Sequence, residues 1–309
     1  MHSNGACTST GTRRTSHKKT VVPTLRGRFK RVGDLNTPMA LTLESRVTLN
    51  NGVAMPVLGL GVWQIPAGPA TQRAVRYALE TGYRLIDTAK LYANEADVGI
   101  AVRESGVPRE DVFVTTKLWT SDFGYKRAIR AFEESLARLK LEFVDLYLIH
   151  WPASTDTWDA MVDLYRTGKC RSIGVSNYTA RHVEGLKESA VVPAVNQIEF
   201  NPFVHPWEDV EFCSARGIVL EAYSPLTRGT RLRDPRARAV AAKYGKSPAQ
   251  ILLRWALQHG LVVIPKSVQP DHIRENASVF DFEIANDDMR TLDGLNKGRH
   301  FDWDPSDAP

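Results

Sequence analysis

The sequence predicts an α/β protein, a single (β/α)8 barrel with an N-terminal β-hairpin plug. Three observations carry the prediction. Eight short β-rich runs alternate with amphipathic segments from Leu58 onward. The chain has 309 residues and 43% hydrophobic content, enough for one barrel of about 250 residues plus extensions. Finally, consecutive runs end on, or lead straight into, residues able to hold or move a proton, and in a parallel barrel such ends meet at one rim.

Residues 1–40 are expected to form a basic, disordered tail and residues 41–309 the barrel. Residues 1–33 carry eight of the 40 Lys and Arg and no acid, which leaves 32 basic against 35 acidic residues in the remainder. The overall charge of +5 therefore belongs to the tail, and no nucleic-acid partner is expected of the barrel. The tail lacks the apolar core of a secretory signal. Organelle targeting, a basic arm, or sequence upstream of a start at Met39 all stay open. Three cysteines, Cys7, Cys170 and Cys213, make neither a CxxC pair nor a disulfide framework, so a reducing, cytoplasmic setting is expected. No run reaches the roughly 18 apolar residues that span a bilayer, so no membrane partner is expected.

Taken in order, Arg46 to Leu49 and Val53 to Pro56 flank Asn50-Asn51-Gly52, whose Asn-Gly step is a hairpin signal. The strand candidates are 58–61, 84–88, 112–118, 144–150, 171–176, 194–200, 219–225 and 262–267. Tyr125, Ile129, Phe132, Leu136 and Leu139 recur at helical spacing and predict a helix packed on the barrel. Ser247-Pro248-Ala249-Gln250 combines a cap, a first-turn proline and the last member of a capping box. Cys170 reads as a small core hydrophobe.

Asp87, Tyr92, Lys117 and His150 are the four rim candidates. A phenol ionises near pH 10, so work near neutrality needs a lowering worth roughly 4 kcal/mol. Lys117 is expected to stabilise the phenolate, Asp87 to keep that ammonium charged and oriented, and His150 to bond the substrate oxygen or relay the proton. Such a site protonates an alkoxide, so a hydride donor must stand opposite.

From Val47 to about Pro305 the chain resembles the aldo-keto reductase superfamily, its aldose and diketogluconate reductases in particular. The residues that carry the resemblance are Met55 to Trp63, Gly82 to Ala89 with Tyr92-Ala93-Asn94-Glu95, Thr116 to Trp119, Asp145 to Pro152, Ile173 to Asn177, Asn196-Gln197, Tyr223 to Leu226 and Ile264 to Val268. The resemblance implies a TIM barrel and NADPH-dependent reduction of aldehydes and ketones. It makes Tyr92 the proton donor, with Asp87, Lys117 and His150 completing a tetrad. It implies cofactor contacts at Gly61, Val62, Trp63 and Asp87, at Ser176, Asn177 and Gln197 for the nicotinamide carboxamide, and at Tyr223 stacked on the ring. Ser224 and Leu226 fall at the pyrophosphate, Lys266, Ser267 and Val268 at the adenosine 2'-phosphate and ribose, and Glu275 and Asn276 at the adenine.

Where many members of the family place an Arg against the 2'-phosphate, this chain has His272. An imidazole lacks the guanidinium fork, so NADH is expected as a weaker alternative cofactor. The substrate pocket is expected from Trp63, Tyr92, Trp119, His150 and Trp151, with Phe301 and Trp303 on the C-terminal segment. No metal site is expected, and the protein is expected to act as a monomer on a small carbonyl substrate.

Three other readings compete, one of them a nucleic-acid partner that rests only on the basic tail. A Rossmann dehydrogenase needs GxGxxG, and Gly59-Leu60-Gly61-Val62-Trp63-Gln64 lacks the third glycine. A non-catalytic, cofactor-sensing subunit could use the same barrel, but it need not keep all four rim residues.

Overall fold

The computed structural model describes residues 41–298 and 300–308, along with Met1. Apart from Met1, these all fall in one compact unit, Arg31–Pro309. The rest of the tail expected over residues 1–40, Cys7 included, lies outside the described residues.

The hairpin forms as its turn signal requires. Strand β1 (Arg46–Thr48) pairs antiparallel with β2 (Ala54–Pro56), and Gly52 takes the positive φ of 87° that the turn demands. Eight parallel strands follow in chain order: β3 (Leu60–Gly61), β4 (Leu85–Asp87), β5 (Phe113–Leu118), β6 (Leu146–Ile149), β7 (Ile173–Ser176), β8 (Val195–Glu199), β9 (Val219–Tyr223) and β10 (Val262–Val263). The sheet closes on itself. Leu58 bridges Val263 in parallel, and the Gly59 and Gly61 amides donate to the carbonyls of Val263 and Pro265 at 2.9 and 3.1 Å.

All eight expected strands are present, most of them shorter than their apolar runs. The last expected strand, over 262–267, keeps ladder pairing only at Val262 and Val263, because Pro265 has no N–H to donate.

Helices α1 (Pro69–Thr81), α2 (Glu95–Glu104), α3 (Tyr125–Leu139), α4 (Thr155–Arg166), α5 (Ala180–Glu184) and α6 (Trp207–Ala215) each occupy one crossover. The β9 to β10 crossover holds two, α7 (Pro235–Tyr244) and α8 (Pro248–Gln258), and α9 (Pro270–Ala277) and α10 (Asn286–Asp293) follow β10. Ser247 caps α8 with the expected reciprocal bonds to Gln250, at 3.2 and 3.0 Å. The buried face of α3 is rotated from its expected stripe. Ala128, Ala131, Phe132, Ser135, Leu136 and Leu139 are buried while Tyr125 is exposed, its hydroxyl donating to Asp163. Small residues let the start of that helix lie close to its neighbours, so the aromatic side chain is displaced outward.

Alternation within the strands divides the core in two. Ile86, Val114, Tyr147, Ile149, Ile198, Leu220 and Ala222 face the helices. Leu85, Phe113, Leu146, Leu148, Val195 and Val262 fill the barrel, and Leu49 and Met55 of the hairpin join them from below. The hairpin thus plugs the floor, held by Asn50 and Asn51 side chains donating to the Pro193 and Arg171 carbonyls. Continuing the inward faces upward gives the top layer: Asp87 above Leu85, Lys117 above Phe113 and Thr115, Gln197 above Val195, and Glu221 and Tyr223 above Val219.

Candidate active site

Lys117 is fully buried, and its ammonium would be intolerable there without partners. It donates to both oxygens of Asp87, at 2.6 and 2.8 Å, to the Thr88 carbonyl at 3.0 Å and to the Tyr92 hydroxyl oxygen at 3.1 Å. The Tyr92 ring lies 5.6 Å from that of His150 and 4.7 Å from Trp63. The four rim residues therefore meet as expected.

Tyr92 ends a 3-10 turn (Lys90–Tyr92) closed by Ala93 at φ 57°. Two buried residues just beyond pin this turn. Asn94 accepts from the Thr88 hydroxyl at 2.8 Å and donates to the carbonyls of Val62 and Ile65. Glu95 accepts from the Thr116 hydroxyl and from Arg138, both at 2.6 Å.

The electrostatics differ from expectation at one point. Burial, with the charges of Asp87, Glu221 and Asp302, holds the Tyr92 phenol well above its ordinary value rather than lowering it. Asp87 pairs with Lys117 at 2.6 and 2.8 Å, and burial is the leading cause of the rise at the phenol. Tyr92 is accordingly a neutral phenol whose oxygen accepts from Lys117 and whose proton is free to be given away. Burial and the Lys117 charge push the His150 imidazole well below its usual range, so it is neutral, and its Nδ1 has no partner among the described residues.

Around this core the remaining expected residues fall into three groups. Ser176 donates to the Gln197 carbonyl, and Asn177, at φ 63°, donates to the His150 carbonyl and accepts from the Tyr223 hydroxyl at 2.8 Å. Gln197 spends its amide nitrogen on Asp87 at 2.8 Å and Glu221 at 2.7 Å, which leaves its oxygen without a donor among the described residues.

A separate cavity of about 190 Å3 is lined by Leu226, Lys266, Ser267, His272, Glu275 and Asn276, together with the start of α8. This gathers all but one of the residues expected at the adenosine end. Val268 is the exception, exposed and outside the lining. The Val62 side chain is buried against the helices, and its amide donates to the Asp87 carbonyl at 3.0 Å.

The aromatic group assembles with help from the C-terminal segment. Trp303 lies 6.0 Å from Trp119 and 5.6 Å from Trp151, and Trp119 lies 5.1 Å from His150. Phe301 turns away to pack on the outer core. Three acids of this region carried no expectation from sequence. Glu221 bonds Gln197, Glu199 accepts from His300 and from the Phe301 amide, and Asp302 accepts from the Ser224 hydroxyl at 2.6 Å. Their one signal was the presence of Glu199 and Glu221 inside predicted strands.

The family model described as the aldo/keto reductase family matches residues 57–297. The chain belongs to this family. It is 47% identical over 273 residues to the glyoxal reductase of Bacillus subtilis, covering 87% of this chain and 99% of that protein. It is 48% identical over 266 residues to the 9,11-endoperoxide prostaglandin H2 reductase of Trypanosoma cruzi, covering 84% and 94%. The crystal structure of MGS-M4, an aldo-keto reductase enzyme from a Medee basin deep-sea metagenome library, superposes with a TM-score of 0.82 at 39% identity, covering 85% of this chain and 99% of that one. This aldo-keto reductase is thus an NAD(P)H-dependent oxidoreductase acting on carbonyl compounds. None of its helices among the described residues is long and apolar enough to cross a membrane.

Proposed function

We propose that the protein reduces small aldehydes and ketones with NADPH, Tyr92 giving the proton. The observation that carries this reading is the Lys117 to Tyr92 contact at 3.1 Å, with Asp87 behind the lysine. Because the phenol oxygen accepts from the ammonium, the hydroxyl proton must point elsewhere, and the aromatic slot is the open direction. NADPH would supply the hydride to the carbonyl carbon. As negative charge grows on the carbonyl oxygen, Tyr92 protonates it, and Lys117 stabilises the phenolate left behind. Neutral His150 offers a hydrogen bond to the same oxygen, and Trp63, Trp119, Trp151 and Trp303 orient the substrate and exclude water.

The residues suit the cofactor. Gln197 offers an amide oxygen to the carboxamide, which Ser176 and Asn177 flank, and Tyr223 offers its ring face. Gly61, Val62 and Trp63 line the approach with their backbone or ring, Ser224 and Leu226 belong at the pyrophosphate, and the cavity of Lys266, Ser267, His272, Glu275 and Asn276 takes the adenosine end. Val268 keeps at most a backbone role. With one lysine and no guanidinium, NADPH is preferred over NADH by a narrow margin. Glyoxal reductase among the relatives favours a small aldehyde or dicarbonyl as substrate. The reading takes a cytoplasmic monomer without a nucleic-acid partner, a barrel over residues 41–309 and a tail over 1–40 that catalysis does not need.

Tyr92→Phe tests it. The variant should bind NADPH with near-normal affinity by fluorescence titration and lose about 10²- to 10⁴-fold in kcat. Turnover within a few-fold of wild type would mean that another group supplies the proton.

A further inference from the structure

Two carboxylates and one lysine share the top of the barrel. Asp87, Glu221 and Lys117 are all buried, with Glu221 fully so. Lys117 gives Asp87 a short bond to each oxygen, at 2.6 and 2.8 Å. Glu221 receives only the Gln197 amide, at 2.7 Å on Oε2, and its Oε1 has no partner among the described residues. Were both acids ionised, the cluster would hold one uncompensated charge in a dry interior, which costs several kcal/mol. A proton on one of them removes that cost. Its natural place is the unpartnered Oε1, since both Asp87 oxygens are engaged by a cation. Burial first, and then the Asp87 charge, raise Glu221 to about 8.

Gln197 links this acid to the cofactor. Its amide nitrogen bridges Asp87 and Glu221, so its oxygen is turned away from both, toward the site assigned above to the nicotinamide carboxamide. Tyr223, assigned to the ring face, stands two residues beyond Glu221 on the same face of β9. A positive charge arriving at this site would supply the missing counter-charge. The titratable groups that face Glu221 are Asp87, Lys117 and Tyr92.

We propose that Glu221 is a positioning residue that carries a proton in the free protein and releases it when the oxidised, positively charged nicotinamide binds. The inference rests on the nicotinamide placement under Proposed function. The oxidised cofactor thereby completes a neutral cluster of two anions and two cations, whereas the reduced cofactor, with its neutral ring, leaves the proton in place. The proton passes from Glu221 Oε1 to solvent, with no other bond made or broken.

The test is calorimetric titration of the full chain with NADP+ and with NADPH at pH 7.5, in buffers of different ionisation enthalpy. The difference in proton release between the two cofactors cancels any contribution of the 2'-phosphate site. Wild type should release more protons on binding NADP+ than NADPH, by a sizeable fraction of one, and the difference should shrink as the pH passes about 8. Glu221→Gln should abolish it, as should Glu221→Leu, an apolar replacement of a kind that buried ionic sites often tolerate. A difference that survives in both variants would overturn the proposal and point to Tyr92 or Asp87 as the source. Gln197→Leu separates the two layers of argument. If it leaves NADP+ affinity unchanged, the nicotinamide placement itself fails. If it weakens NADP+ by about tenfold, the worth of one neutral hydrogen bond, the placement stands and the Glu221 variants decide.

Discussion

At the scale of single residues, His272 shows how far chemistry can be read from type and position. The sequence pointed to a missing guanidinium, and the fold places His272 in one cavity with Lys266, Ser267 and Asn276. The Arg274 guanidinium is instead turned to Asp271 and to the Tyr77 hydroxyl of α1. His272→Arg should therefore tighten NADPH by about 1.5–3 kcal/mol, the worth of a hydrogen bond to a charged group, and leave NADH nearly unchanged. Dissociation constants for both cofactors check this, and equal tightening of the two would place residue 272 away from the 2'-phosphate. The meeting of Asp87, Tyr92, Lys117 and His150 at one rim was legible because each closes or follows an apolar run. Glu221 was not, because a lone acid in a strand gives no sign of which face it takes until neighbouring strands fix the register, here Gln197 against Glu221. The direction of the Tyr92 shift was also hidden, for it depends first on how deeply the fold buries the phenol and then on the nearby charges of Asp87, Glu221 and Asp302.

At the scale of elements, strands and helices were read from their periods, whereas the C-terminal segment has no period to read. It is held by side chains that come from distant strands and helices. Glu199 of β8 accepts from His300 at 2.9 Å and from the Phe301 amide at 3.1 Å. Ser224 and Arg228 hold Asp302, and Arg181 and His182 donate to the Ala308 carbonyl. This strap sets Trp303 against Trp119 and Trp151, although the indole itself is 55% exposed. The Glu199 bond raises His300 above its ordinary 6.5, against the opposing effect of burial. The folded state thus holds its proton to higher pH than the unfolded chain, so the contribution is fully present below about 6.5 and lost as the pH climbs through the raised folded value. Wild type should be more thermostable than His300→Gln at pH 6, with the gap in Tm closing as the buffer is made more alkaline. A gap independent of pH would show that His300 acts without its charge.

At the scale of the whole molecule, a closed barrel keeps its chemistry at one end and its foundations at the other. The alternation of strand and helix announced the barrel, but closure depends on contacts that no local pattern displays. One is the parallel bridge from Leu58 to Val263. Another is Gly174, where a Cβ would come within 2.4 Å of the Val195 carbonyl oxygen, so that only glycine lets β7 and β8 approach. The same separation makes stability and turnover independently addressable. Met55, fully buried in the hairpin, fills the floor among Leu85, Phe113 and Leu146, below the layer of Asp87 and Lys117. Met55→Ala leaves a cavity there and should cost about 2–5 kcal/mol in denaturant unfolding. The polar bonds that hold the tetrad do not involve the hairpin, so kcat measured well below the unfolding midpoint should stay within about twofold of wild type, a change under 0.5 kcal/mol in barrier. Tyr92→Phe should show the reverse, with unfolding nearly unaltered and turnover lost. If Met55→Ala instead lowered kcat in step with stability, the floor and the rim would be coupled through the interior column of side chains, and the hairpin would belong to the catalytic apparatus rather than to its support.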